Sequence, residues 1–164
     1  QFSFQEHVMS DQKAKENHFS IQKLYIKDVS FESPSAPGVF SFEKWDPQIE
    51  LNLNNTSKKV ADGLYEVVLS VTATVNNSDK VAFLVEVHQG GLFQLNGFNQ
   101  DDTKYILNSQ CMTILFPFAR EAVSELTNRG GFPPLLLNPV NFDALYAQAV
   151  QKQQQESAAD EAKQ

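Results

Sequence analysis

The period of the apolar positions divides the chain. Residues 19–95 alternate in steps of two, whereas later residues repeat in steps of three and four. In the first predicted strand Phe19, Ile21, Tyr25, Val29 and Phe31 share one parity, and Leu24, Ile26, Asp28 and Glu32 the other. A loop at residues 33–47 is broken by Pro34, Pro37, Gly38 and Pro47, yet carries Val39, Phe40, Phe42 and Trp45, which want cover from water. The second strand, residues 49–53, sets Ile49, Leu51 and Leu53 on one side. The third, residues 64–75, does the same with Tyr65, Val67, Leu69, Val71, Ala73 and Val75. A polar turn at residues 76–79 leads into a fourth strand at residues 81–95. Sequential strands with short turns and no intervening helices predict an antiparallel sheet.

A helix is expected after Asp101 and Asp102, with Leu107, Cys111, Leu115, Phe118, Ala122 and Leu126 on its apolar stripe. Pro117 falls inside this pattern and is expected to kink or divide the helix, and Gly130 to stop it. Residues 129–146 are rich in apolar side chains but hold Pro133, Pro134 and Pro139, which forbid a continuous helix or a central strand. Such a connector either lids its own domain or walls a site that meets other apolar chains. Asn141 reads as the N-cap of a second helix with Phe142, Leu145, Tyr146, Ala149 and Val150 on one stripe. The fold class is therefore α+β, a four-stranded antiparallel sheet followed by two helices packed on one face. Residues 1–18 read as a disordered N-terminal segment, of which 1–8 look vector-derived ahead of Met9. Residues 19–150 form the domain, and 151–164, without aromatic or branched apolar residues, form a flexible tail.

Charge narrows the choice of partner. Thirteen basic against twenty acidic residues give a net charge of −7, which repels phosphate backbones and anionic membranes. No apolar run approaches the roughly 18 residues of a membrane span, and no secretory pattern opens the chain. The one cysteine cannot form an internal disulfide. Together these features give a cytoplasmic address, with neither nucleic-acid binding nor membrane insertion.

The candidates for chemistry are weak. Cys111 would need a neighbouring base or positive field to act as a nucleophile, and its spacing places it on a helix's apolar stripe instead. His7, His18 and His88 lack ligand spacing, so no metal and no cofactor are expected. Gly90 and Gly91 sit inside a strand pattern, where a bulge or close packing explains them better than a phosphate loop. Arg129, Gly130 and Gly131 read as a helix cap rather than an RNA-binding segment. The pattern points to binding without catalysis.

Four motifs in order, IKDVSFESPSAP at 26–37, FLVEVHQGGLF at 83–93, LFPFARE at 115–121 and GFPPLLLNPVNFDALY at 131–146, resemble the SecB family of bacterial export chaperones. The resemblance covers residues 19–151. It departs from the family over residues 99–113, where Met112 stands in the place after the cysteine that is often proline. The resemblance implies a homotetramer, a dimer of dimers, that holds unfolded preproteins and delivers them to the motor ATPase SecA without using ATP itself. A client groove is then expected from Phe40, Trp45, Ile49, Leu51, Leu53, Phe132 and Leu135. A SecA-binding face is expected from Asp28, Glu32, Leu84 and Glu86, and an oligomer interface from Val85, Val87 and Gln89. The tail would touch a zinc-bearing segment of SecA, the zinc belonging to the partner. Two alternatives stay open: a SecB-like chaperone dedicated to an antitoxin, and a hydrolase using Cys111.

Overall fold

Two long central strands organise the fold. The computed structural model describes residues 16–41 and 44–162; the segment read as vector-derived, His7 and Phe42 lie outside them. The strands are β1 (His18–Glu32), β2 (Pro47–Ala61), β3 (Leu64–Asn77) and β4 (Lys80–Asn96), all paired antiparallel in the order β1-β4-β3-β2. Helix α1 (Gln100–Tyr105) passes through a π-type segment (Ile106–Gln110) into α2 (Cys111–Arg129), and α3 (Phe142–Glu161) follows the proline-rich connector. His18, expected in a disordered segment, begins β1.

The odd-numbered residues of β3 and β4 face the helices. Val67, Leu69, Val71, Ala73 and Val75 lie beside Phe83, Val85, Val87, Phe93 and Leu95, and all share one buried cluster with Cys111, Met112, Leu115, Ala119 and Val123 of α2 and with Phe132 of the connector. Gly91 lets α2 come close, since a Cβ there would stand 2.6 Å from the Phe93 ring and 3.1 Å from Leu115. Gly90, on the opposite face, leaves room for the ring of Tyr25. Both glycines thus serve packing, as the strand context suggested.

Four expectations need correction. The parity of β1 is not constant, because bulges between Ile21 and Lys23 and between Ile26 and Asp28 each insert one residue. Between them the faces are exchanged: Leu24 and Ile26 lie opposite Gly91 and Gln89 on the helix side, and Tyr25 opposite Gly90 on the outer side. Beyond the second bulge the original parity returns. Strand β2 is much longer than residues 49–53, since Asn54 to Ala61 continue along β3 although their polar sequence carries no alternation. An edge strand open to water on much of its surface does not require alternation. Pro117 neither divides nor ends α2; it is exposed, so water can reach the Thr113 carbonyl that its missing N–H leaves free, and the departure from α geometry falls at Ile106–Gln110. Residues from Gln151 on continue α3 to Glu161 instead of leaving it, all of them exposed.

The helix ends follow the expected chemistry more closely. Asn99 and Asn141 cap α1 and α3 by accepting from the backbone N–H groups of Asp102 and Ala144. Gly130 ends α2 at the position expected, but the left-handed residue is Gly131, at φ +87°. Gly130 is needed for another reason: a Cβ there would stand 2.2 Å from the Phe31 ring. The burial stripe of α2 runs through Phe116 rather than Phe118, which is exposed.

Candidate functional site

Strand register places the two groups of predicted site residues on opposite faces of one sheet. On the helix face, successive rows read Ile49–Val75–Phe83, then Leu51–Ala73–Val85–Phe31, then Leu53–Val71–Val87–Val29. The β4 and β3 members are covered by α2, but the β2 members lie beyond it. Ile49 and Leu51 are 48% and 41% exposed, and Leu53 is half-buried. Ile49 and Leu51, at a sheet edge and open to water, form an uncovered strip that Leu53, packed against the core, continues.

At one end of this strip the loops close into an aromatic cluster around Phe132. Its ring centroid lies 4.7 Å from Phe83, 5.2 Å from Phe40, 5.7 Å from Trp45 and 6.4 Å from Phe31. Phe132 is buried, but Phe40 is 53% and Trp45 39% exposed, so the outer rings offer apolar surface on a fixed base. The backbone of the connector is anchored by the fully buried Thr127. Its carbonyl accepts from the Phe132 N–H at 3.2 Å, and its hydroxyl accepts from the Leu135 N–H at 2.9 Å. Leu135 is half-buried, with Leu136 exposed beside it.

At the other end the strip opens into a cleft of about 890 Å³ between β2 and α3. Leu53, Leu69, Met112, Phe142, Leu145 and Val150 give it apolar walls, and its rim follows α3 out to Glu161. Asp143 fixes the start of α3 against the π-type segment by accepting hydrogen bonds from the hydroxyls of Tyr105, at 2.7 Å, and Ser109. These donors hold its carboxyl below the usual carboxylate range. Of the seven predicted groove residues, Phe40, Trp45 and Phe132 meet in the aromatic cluster and Ile49, Leu51 and Leu53 share one face of β2, while Leu135 is held through its N–H on Thr127. Sequence reasoning missed the α3 wall in detail: Met112 and Leu69 are core-type residues whose part in a cleft depends on where α3 docks.

The outer face is polar. Asp28 lies opposite His88, Ser30 opposite Glu86, and Glu32 opposite Leu84, so Asp28, Glu32, Leu84 and Glu86 do share that face. Glu50 lies across Thr74 in the row of Leu84, an acidic member that strand parity alone could not bring there. His88 bridges two neighbours, with Nδ1 2.8 Å from Ser70 Oγ and Nε2 2.5 Å from Glu86 Oε1. The order of hydroxyl, imidazole and carboxylate resembles a hydrolytic triad. It lies, however, on the open face of two inner strands whose backbone N–H groups are engaged in the ladders, so none is free to stabilise an oxyanion. Further along this face the Tyr25 hydroxyl donates to Glu66, and Lys27 Nζ stands 2.6 Å from the same carboxylate. Burial, followed by the Glu66 carboxylate, pushes the Tyr25 phenol up to about 12. Lys27 first, and then Tyr25, hold Glu66 below its usual range.

One expectation fails here, and one open alternative with it. Val85, Val87 and Gln89 do face the helices, but at 1%, 0% and 4% exposure they are taken up by the chain's own core. Gln89 Nε2 donates to the Tyr25 carbonyl. These side chains have no surface left for a second subunit. Cys111 is fully buried, and desolvation pushes its thiol up to about 12, which removes the thiolate a hydrolase would need. No cluster of three or more histidine, cysteine or acidic side chains with metal-holding geometry occurs among the described residues, and none of their helices is long and apolar enough to cross a membrane.

Known proteins resemble this chain in sequence and in fold. The family model described as preprotein translocase subunit SecB matches residues 12–153. The protein-export protein SecB of Nitrosococcus oceani is 50% identical over 92% of this chain and 93% of its own. That of Methylococcus capsulatus is 53% identical over 92% of this chain and 96% of its own. A solved SecB-like chaperone of Mycobacterium tuberculosis, in complex with a ChAD peptide from the HigA1 antitoxin, superposes with a TM-score of 0.63. It covers 74% of this chain and 90% of its own at 17% identity, a likeness of fold. With half of its residues shared along nearly the whole length of both relatives, the chain belongs to the SecB family.

Proposed function

We propose that the chain is an ATP-independent export chaperone that binds unfolded preproteins and delivers them to the SecA motor. The observation that carries the reading is the uncovered apolar path from the Phe40–Trp45–Phe132 cluster, over Ile49 and Leu51, into the α3 cleft. An unfolded chain offers apolar side chains at irregular intervals, and a long path with several separate footholds suits it better than one shaped pocket. Holding the unfolded form slows folding by mass action and needs no chemical step.

The working unit is a homotetramer, built as a dimer of dimers. Exposed Ile21, Ile26 and Val29 on edge strand β1, together with Phe118 on α2, support this assembly as apolar surface that a second copy would cover. The outer face, with Asp28, Glu32, Leu84 and Glu86, is the docking surface for SecA. Work of this kind belongs in the cytoplasm. A chaperone dedicated to one antitoxin would keep the groove but have no use for the acidic face.

Replacing Ile49, Leu51 and Leu53 together by alanine tests the groove. Each side chain covered by a client contributes on the order of 1 kcal/mol. The triple variant should therefore capture an unfolded preprotein at least tenfold more weakly at unchanged assembly mass. Undiminished capture by the folded variant would place the client elsewhere.

A further inference from the structure

Asn77, the last residue of β3, is a polar side chain with no exposed surface. Burying a primary amide is unfavourable unless its hydrogen-bonding groups find partners, and both ends of this one do. Oδ1 accepts from the Asp46 N–H at 2.8 Å, and Nδ2 donates to the Lys44 carbonyl at 3.1 Å. The two partners are the backbone groups on either side of Trp45. Residues 44–46 are irregular, and among the described residues no backbone–backbone hydrogen bond ties them to the sheet. The amide of Asn77 supplies that tie. It fixes the loop where the Trp45 ring meets Phe132 at 5.7 Å.

We infer that Asn77 is a positioning residue for the aromatic end of the groove, holding Trp45 so that the cluster receives aromatic side chains of unfolded segments. The inference rests on the groove reading above and deepens it. Without the clamp the loop keeps Trp45 but loses its fixed distance from Phe132. A client phenylalanine would then meet a mobile wall, whereas small aliphatic side chains, which bind mainly along Ile49 and Leu51, would notice little.

Trp45 is the only tryptophan in the chain, so its fluorescence reports the loop directly. The variant Asn77→Leu keeps the approximate volume and removes both hydrogen bonds. It should raise acrylamide quenching of Trp45 about twofold, and two lost bonds should weaken binding of an unstructured phenylalanine-containing peptide about fivefold or more. The same peptide with leucine at those positions should lose less. A folded Asn77→Leu protein with unchanged quenching, or with unchanged preference for the phenylalanine peptide, would overturn the inference. If that variant fails to fold, Asp46→Pro removes the loop's N–H from an exposed position, and Asp46→Ala keeps it. Quenching that rises in the proline variant beyond the alanine variant supports the clamp, and equal quenching overturns it. Trp45→Ala tests the groove reading separately: undiminished peptide binding there would sink that reading, while the quenching data still decide whether Asn77 holds the loop.

Discussion

Cys111 shows how residue identity and environment together decide chemistry. A thiol with no exposed surface and a pKa pushed to about 12 by burial stays protonated and out of reach. The native protein should therefore resist alkylation, with Cys111 reacting only once the chain is unfolded; labelling at the native-state rate of a free thiol would mean that α2 opens. The Tyr25–Glu66 hydrogen bond makes a second prediction, because it needs a neutral phenol and an ionised carboxylate. Glu66 has a lowered folded-state pKa, so its contribution is present above the unfolded value of about 4.3 and is lost as pH falls through the folded value. Tyr25 has a raised one, so its contribution is present below about 10 and is lost as pH rises through about 12. Denaturant midpoints measured across pH should show both flanks, and Tyr25→Phe should flatten the alkaline one. An unchanged alkaline flank would mean that another group causes it. The sequence grouped Tyr25 by parity with Phe19, Ile21, Val29 and Phe31, but the structure sets it on the other face of the sheet. Its actual place depends on two one-residue bulges that leave no mark in the pattern of apolar positions.

At the level of elements, what was legible depended on whether a face is buried. Strands β3 and β4 alternate because α2 covers one side of them, and their bounds lie within about two residues of the sequence reading. Strand β2 was read at a third of its length, since only Ile49, Leu51 and Leu53 carry a pattern and the rest is held by pairing with β3 and by the Asn55 amide donating to Asn108. The exposed apolar side chains of Phe40, Trp45, Ile49 and Leu51 were readable as branched and aromatic residues that no helix in the sequence was placed to cover. Unreadable was the cleft, which depends on the docking of α3 through Asp143 on Tyr105 and Ser109, Phe142 on Phe116 and Tyr146 on Tyr105. Helix α3 beyond Gln151 was read as a tail because it has no apolar stripe, and none of its residues there reaches the core. Its removal should accordingly leave the thermal midpoint within a few degrees of the full chain. Client capture should weaken modestly, because Gln153, Gln154, Ser157 and Ala158 line the far end of the cleft. A large loss of stability on truncation at Gln151 would show that the extension packs on another copy of the chain.

For the whole molecule, the sheet separates two kinds of surface by its own thickness. Apolar side chains lie on the helix side, and on the other Glu32, Glu50 and Glu86 stand in or next to the row of Leu84, with Asp28 farther along opposite His88. An acidic protein must expose carboxylates somewhere, so acidity alone does not mark a dock. Leu84, half-buried among them, is harder to explain as a solvated face. His88 further holds the Glu86 carboxylate at 2.5 Å, which limits its freedom before any partner arrives. A basic segment of SecA approaching this face would meet partly ordered charge, and its association should weaken with salt, given a screening length of about 8 Å at physiological ionic strength. Charge reversal with Asp28→Lys and Glu86→Lys tests the separation of the two surfaces. SecA affinity should fall more than tenfold and lose its salt dependence, while affinity for an unfolded preprotein and the assembly mass stay unchanged. Retained SecA binding would mean that the outer face is not the dock. Equal loss of both activities would mean that these residues support the fold or the assembly, because a carboxylate on one side of the sheet has no direct way to touch a client on the other.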